Sequence, residues 1–318
     1  MKEMIFMMLT EFSDLWNRID EGKSTSIQRR IDSSHPLNLF FGYDPIGSRE
    51  FIMVTEILPN LKLNSASIDI ETGIRRDKQF AICFRLIDIH QEAVFVQLCW
   101  DLFEHTRDSS DEVNGIKKIQ NRFKIWQKLF DEGNDGLLSI KAIKGLVGEL
   151  IFLKTYACEH YGIENAVKSW IGPHNAHKDY WFESTWYEIK TIDSATKDIT
   201  ISSLEQLASE VIGFIVCMIV EKTSKTATNR LNLPFLVDSI RAILNDNEEI
   251  RLEFDSKLIE VGYFDRDEYY NFNFAYIESK KYIVDKEFPK ITSEIVDDAI
   301  TEVKYKISLA SIRNWLTE

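Results

Sequence analysis

Apolar residues along this chain recur with two periods, which divide it into helices and strands. Near the start, Ile5, Leu9, Phe12, Trp16 and Ile19 recur at helical spacing, with the acids Glu11 and Asp14 among them. That pattern predicts an amphipathic helix rather than a secretory leader. Residues 20–34 are polar and predict a loop with a basic spot at Arg29 and Arg30. Five runs rich in Ile, Val and Phe then predict strands at 37–43, 51–57, 66–70, 79–87 and 93–100, with turn residues between them. They suggest a five-stranded antiparallel sheet. Over 111–131, Val113, Ile116, Ile119, Phe123, Trp126 and Phe130 form a helical stripe. Lys117, Lys118, Arg122, Lys124 and Lys128 are expected off that stripe. A charged helix face is ordinarily just solvated, and the sharper reading is a helix laid along a nucleic-acid backbone, one cation per phosphate.

Residues 131–136 (Asp-Glu-Gly-Asn-Asp-Gly) are polar and turn-rich, which places a domain junction there, with 1–136 before it and 137–318 after it. The second part opens on a helix over 139–156 with Ser139 as its cap and Ile143, Leu146, Val147, Leu150 and Leu153 facing a core. Gly145 and Gly148 would admit a close backbone. Glu149 borders the buried stripe and needs a partner. Strands are predicted at 166–170, 179–182, 186–190 and 198–201, then a short helix capped by Ser202 or Ser203 that carries Glu205 and Gln206. Residues 213–221 are continuously apolar, as expected of a strand covered on both faces. Helices at 233–244 and 248–261 and peripheral strands at 269–277, 281–284 and 303–307 complete the pattern, with a last short helix at 311–316.

Composition narrows the classes. With 44% hydrophobic and 12% aromatic residues in 318, the chain can bury a substantial core. Cys83, Cys99, Cys158 and Cys217 sit singly in apolar runs, which predicts reduced buried thiols and a cytoplasmic protein. No stretch approaches the roughly 20 apolar residues that span a membrane. A net charge of −13 argues against a protein that coats nucleic acid. The acidity is concentrated: nine acids against three bases lie between Asp246 and Glu268. Around the chemistry-bearing residues the balance is nearly even.

Those residues lie between Trp170 and Thr191. Eight residues separate Asp179 from Glu188, which allows two short strands and a tight turn. A hairpin would bring the start of the first strand beside the end of the second. Strand alternation turns Glu188 and Lys190 to one face and Ile189 to the other. Two carboxylates and the Ile189 carbonyl suit a hard divalent cation such as Mg²⁺, with Mn²⁺ as a substitute. Such a cation acidifies water and stabilises charge in phosphodiester hydrolysis. Lys190 could orient the water. Gln206 and His177 are accessory candidates, although a loop histidine is more often simply solvated. No hydrolase elbow, Gly-rich phosphate loop or His-Glu-x-x-His is present.

Asp179 with Glu188-Ile189-Lys190 resembles the signature of the PD-(D/E)XK nuclease superfamily. Val147-Gly148-Glu149, Trp170-x-Gly-Pro, Asp179-x-x-Phe and residues 202–207 (Ser-Ser-Leu-Glu-Gln-Leu) extend the likeness to roughly 141–220. The combination looks like a bacterial group of uncharacterised family members associated with defence gene clusters. His177-Lys178 stands where the motif Pro would precede Asp179. The resemblance implies an α/β (α+β) restriction-endonuclease-like core, with Asp179, Glu188, Lys190 and Glu149 as catalytic residues and a DNA substrate, RNA being the weaker choice. It also leaves room for a homodimer or protein partners in a defence complex. The competing expectation is a catalytically silent nuclease fold serving as a scaffold subunit, which the acidic charge favours.

Overall fold

A computed structural model describes residues 7, 9–19, 27–61, 63, 65, 67–131, 137–174, 176–297 and 299–317. Ile5, residue 66 and the turn-rich 132–136 lie outside the described residues. The chain divides into two compact units, Met1–Gly136 and Leu137–Glu318.

In the first unit, helix α1 (Leu9–Asn17) precedes strands β1 (Ile27–Arg30), β2 (Asn38–Tyr43), β3 (Arg49–Thr55), β4 (Ile68–Ile74) and β5 (Phe80–Leu86). These form one antiparallel sheet in the order β1-β2-β3-β5-β4. The sheet has five strands, but not the five expected. Residues 27–30, read as loop, supply an edge strand against β2. Residues 93–100, read as strand, lie in helix α2 (Glu92–His105). Val94, Phe95, Val96, Leu98 and Cys99 are all buried, so the run is apolar because the helix is covered on several sides. A short apolar run does not reveal its period.

Helix α3 (Glu112–Asp131) follows, with Ile116, Ile119, Phe123 and Trp126 buried and Val113 exposed. Arg122 corrects the expectation of a basic outer face, since it is 1% exposed. Its Nε and a terminal nitrogen donate to the two carboxylate oxygens of Asp101 at 2.6 and 2.9 Å, and the Trp126 indole donates to the same carboxylate at 2.7 Å. A guanidinium held this way cannot meet a phosphate. Lys118 pairs with Asp108 at 2.6 Å, while Lys117 and Lys124 face solvent.

The second unit opens with α4 (Ile140–Phe152), whose N-terminus is capped by the Ser139 hydroxyl accepting from the Ala142 N–H at 3.2 Å. The helix runs through a π-helical turn at Leu153–Ala157 into α5 (Cys158–Tyr161). Helix α6 (Ile163–Ser169) occupies the stretch expected to be a strand, and only Trp170 makes a β-bridge, to Tyr180. Ala166, Val167 and Ser169 are its buried residues. Next come β6 (Tyr180–Phe182), β7 (Thr185–Ile192), β8 (Asp198–Ile201), β9 (Gly213–Lys222), α7 (Leu233–Ile243), α8 (Glu248–Glu260), β10 (Phe274–Val284) and β11 (Tyr305–Ser308). The main sheet runs β10-β9-β7-β6, and β8 pairs with β11 apart from it.

Strand β9 is parallel to β7 and buried along most of its length, as its unbroken apolar run requires. The short helix expected after Ser202 is instead an irregular turn. Helix α4 packs on the face of β7 that carries Tyr187 and Ile189, whereas Trp186 belongs to a second core on the opposite face. Gly148 makes the helix–strand approach feasible, because a Cβ there would collide with the Thr191 side chain. Gly145 meets no such neighbour. No helix among the described residues is long and apolar enough to cross a membrane.

Candidate functional site

The β6–β7 hairpin pairs Tyr180 with Tyr187, Trp181 with Trp186 and Phe182 with Thr185. Regular pairing stops at Tyr180, so Asp179 and Glu188 stand where the two strands part. Asp179 Oδ2 closes this fork by accepting from the Ile189 N–H at 2.6 Å. The N–H and C=O of a strand residue point to the same side, so the Ile189 carbonyl also faces the fork. On the Asp179 backbone, the carbonyl accepts from the N–H groups of Ile171 and Gly172 at 2.9 and 3.0 Å. The preceding turn is thereby folded over the same point.

Strand alternation puts Glu188 and Lys190 on the face opposite α4, where the Lys190 ammonium donates to Glu188 Oε1 at 2.7 Å. Glu188 is 3% exposed, and its Oε2 is buried without a hydrogen-bond partner. Gln206, from the turn after β8, places its side-chain oxygen 3.4 Å from the Lys190 ammonium. Glu149 reaches the fork from α4. Its Oε2 accepts from the Trp170 indole at 2.8 Å, and the Tyr180 hydroxyl donates to its backbone carbonyl at 2.9 Å.

Gly172 brings two of the acids into one frame. A Cβ on this glycine would lie 3.2 Å from Asp179 Oδ1 and 3.3 Å from Glu149 Oε2. Both oxygens therefore border the space that glycine leaves open. A side chain there would be tighter than an ordinary van der Waals contact.

The electrostatics follow from burial and like charge. Loss of hydration pushes Asp179 up to about 6, against the opposing pull of the Ile189 N–H and Lys190. Burial, then the charge of Asp179, pushes Glu188 up to about 8, although Lys190 opposes the shift. Glu149 is raised well above the ordinary carboxylate range, first by burial and then by Asp179. Glu149 and Asp179 retain some exposed surface, but their carboxylates lie deep enough for desolvation to dominate.

Glu149, Asp179, Glu188, Lys190 and the Ile189 backbone thus come together at one fork, with Gln206 at its edge. Among the described residues, no group of three or more His, Cys, Asp or Glu side chains is arranged to hold a metal ion. Glu188 Oε1 is turned to Lys190 and Asp179 Oδ2 to a backbone N–H. The donor chemistry nevertheless fits a hard dication, since the acids are oxygen ligands, repel one another and include the unpartnered Glu188 Oε2. His177 is exposed and is not among these contacts. Lys117, Lys118, Arg122 and Lys124 belong to the other unit.

Sequence reasoning missed Lys178. It is buried, and its ammonium donates to the carbonyls of Glu205 and Ala208, both at 2.8 Å. In the sequence it stands only where a motif Pro would be. No residue type signals this role, because both partners are backbone carbonyls.

A family model described as "Putative PD-(D/E)XK family member, (DUF4420)" matches residues 12–310. The match spans both units, and the mixed α+β architecture agrees with a restriction-endonuclease-like fold. Searches of curated proteins and of solved structures returned no match.

Proposed function

The chain belongs to this PD-(D/E)XK family, and on that premise we propose that it is a metal-dependent phosphodiesterase that hydrolyses the DNA backbone at the β6–β7 fork. The observation that carries the reading is the convergence of Glu149, Asp179, Glu188 and Lys190 where the two strands separate. Asp179, Glu188 and the Ile189 carbonyl would hold Mg²⁺, with Mn²⁺ as a substitute, and Glu149 would serve its hydration shell. When bound, the cation acidifies water and neutralises charge gathering on the phosphate.

The chain's own groups supply the rest. Asp179 is oriented by the Ile189 N–H and Glu149 by the Trp170 indole, which holds both carboxylates at the fork. Lys190, held between Glu188 and Gln206, presents its ammonium where the attacking water must be oriented. Among the described side chains of α3, Lys117 and Lys124 face solvent and remain available to a phosphate backbone.

Cleavage of supercoiled plasmid with and without Mg²⁺ tests the reading. Wild type should cut only with the metal, and Asp179→Ala and Lys190→Ala should each lower the rate at least about 1000-fold while staying folded. Undiminished cutting by the double variant would remove the assignment. A second reading, a silent nuclease-fold subunit of a defence assembly, draws support from the net charge of −13, which suits protein partners better than DNA. It predicts no cutting by wild type and retention of a protein partner by Asp179→Ala.

A further inference from the structure

The face of β7 carrying Glu188 and Lys190 is crossed by the 202–208 turn. Within it, the N–H groups of Leu207 and Ala208 donate to the Leu204 carbonyl at 3.3 and 3.2 Å, and Leu207 is fully buried. Gln206 faces two ways through one oxygen. It accepts from the Ser202 N–H at 2.8 Å and lies 3.4 Å from the Lys190 ammonium. A side-chain amide on an irregular turn has no inherent reason to stay against Lys190.

Lys178 supplies a reason. Its ammonium grips the carbonyls of Glu205 and Ala208, one on each side of Gln206 in the chain. It also lies 4.9 Å from the Trp186 ring centroid and 5.6 Å from that of Trp181. The residue is 7% exposed and directly precedes Asp179. Enclosing an ammonium is costly unless it is fully bonded. Burial accordingly lowers the proton affinity of Lys178, while the nearby Glu188 charge opposes that shift. An apolar side chain between two indoles would avoid the penalty. What the lysine adds is a tie between the Asp179 end of the hairpin and the turn that bears Gln206.

We infer that Lys178 is a positioning residue for Lys190. By clamping the carbonyls on either side of Gln206, it keeps the Gln206 oxygen on the Lys190 ammonium and so fixes that ammonium between Glu188 and Gln206. The inference rests on the role proposed above for Lys190, but the geometry it describes can be read without any turnover.

Full-length wild type, Lys178→Met, Lys178→Arg, Gln206→Leu and the double variant Lys178→Met/Gln206→Leu are compared in two measurements. The first is the ¹⁵N side-chain NMR signal of Lys190, assigned by its loss in Lys190→Ala. It should move in Lys178→Met and in Gln206→Leu alike, and return toward the wild-type position in Lys178→Arg. The second is Mg²⁺-dependent plasmid cleavage. Lys178→Met should lower kcat at least about tenfold with KM unchanged, Lys178→Arg should recover most of the loss, and the double variant should be no worse than the poorer single one, as expected for residues acting as one unit. An unmoved Lys190 signal in Lys178→Met overturns the inference, as do effects of Lys178→Met and Gln206→Leu that multiply. Should Lys178→Met not fold, Lys178→Gln, which keeps one donor group, carries the same expectations. If wild type does not cut DNA at all, the phosphodiesterase reading fails, and the Lys190 signal alone still decides whether Lys178 positions it.

Discussion

Two buried charged groups, one in each unit, have opposite characters. In the first unit Asp101 has both carboxylate oxygens filled by Arg122 and Trp126, and the acid and the guanidinium neutralise each other. In the second, Glu149, Asp179 and Glu188 crowd around one lysine, their proton affinities are raised, and Glu188 Oε2 has no partner. The first arrangement is complete as it stands and serves the fold. The second sets three carboxyl groups against one lysine, an imbalance that the described residues meet only by raised proton affinity, which is the condition expected of a site kept for a cation or a substrate. Burial alone does not distinguish the two; the balance of donors, acceptors and charge does.

The largest expected effect breaks the complete arrangement. Asp101→Ala leaves Arg122 enclosed and unpaired, and should cost about 3–5 kcal/mol in chemical denaturation. Asp179→Asn keeps an acceptor for the Ile189 N–H and removes a like charge. Without metal at pH 8 it should be neutral or stabilising by the same measurement. A comparable loss in both variants would erase the contrast.

Acidity gives the next effect. Asp179 and Glu188 hold their protons more tightly folded than their ordinary values of 3.8 and 4.5 allow. The unfolded chain therefore ionises first, and ionisation favours unfolding. The contribution is fully present below about pH 4 and is lost as pH rises through about 6 for Asp179 and about 8 for Glu188. In a metal chelator, the melting temperature should fall from pH 5 to pH 8, and Asp179→Asn should flatten the lower part of that fall. Adding Mn²⁺ at pH 8 should restore stability, because metal binding needs the ionised ligands.

Gly172→Ala is a finer probe. Its methyl group would crowd Asp179 Oδ1 and Glu149 Oε2, so Mn²⁺ affinity should drop about tenfold, near the lower end of what a disturbed ligand shell costs. Smallest of all, Lys117→Ser and Lys124→Ser should change stability by no more than about 0.5 kcal/mol. If α3 follows a phosphate backbone, the salt dependence of DNA binding should become shallower by roughly one unit per lysine removed.

The site was legible because alternation in a strand and the reach of a hairpin are local rules. Spacing alone separates Glu188 and Lys190 from Ile189 and sets Asp179 beside Glu188. The errors arose where tertiary cover sets the pattern. Residues 93–100 form a short apolar run whose helical period is hidden by burial on several sides, and 166–170 is too short a stretch to show a period. Arg122 lies on the inner side of α3 because Asp101, distant in sequence on α2, neutralises it there. Lys178 was overlooked because its partners are backbone carbonyls, which no residue type reveals.

The central claim is that the fork of β6 and β7 is a cation site completed by Asp179. Isothermal titration of Mn²⁺ into the metal-free protein at pH 8, in parallel with Asp179→Ala, tests it most directly. Wild type should bind Mn²⁺ saturably, and that binding should disappear in the variant. Equal binding by the two, or none by wild type, would contradict it.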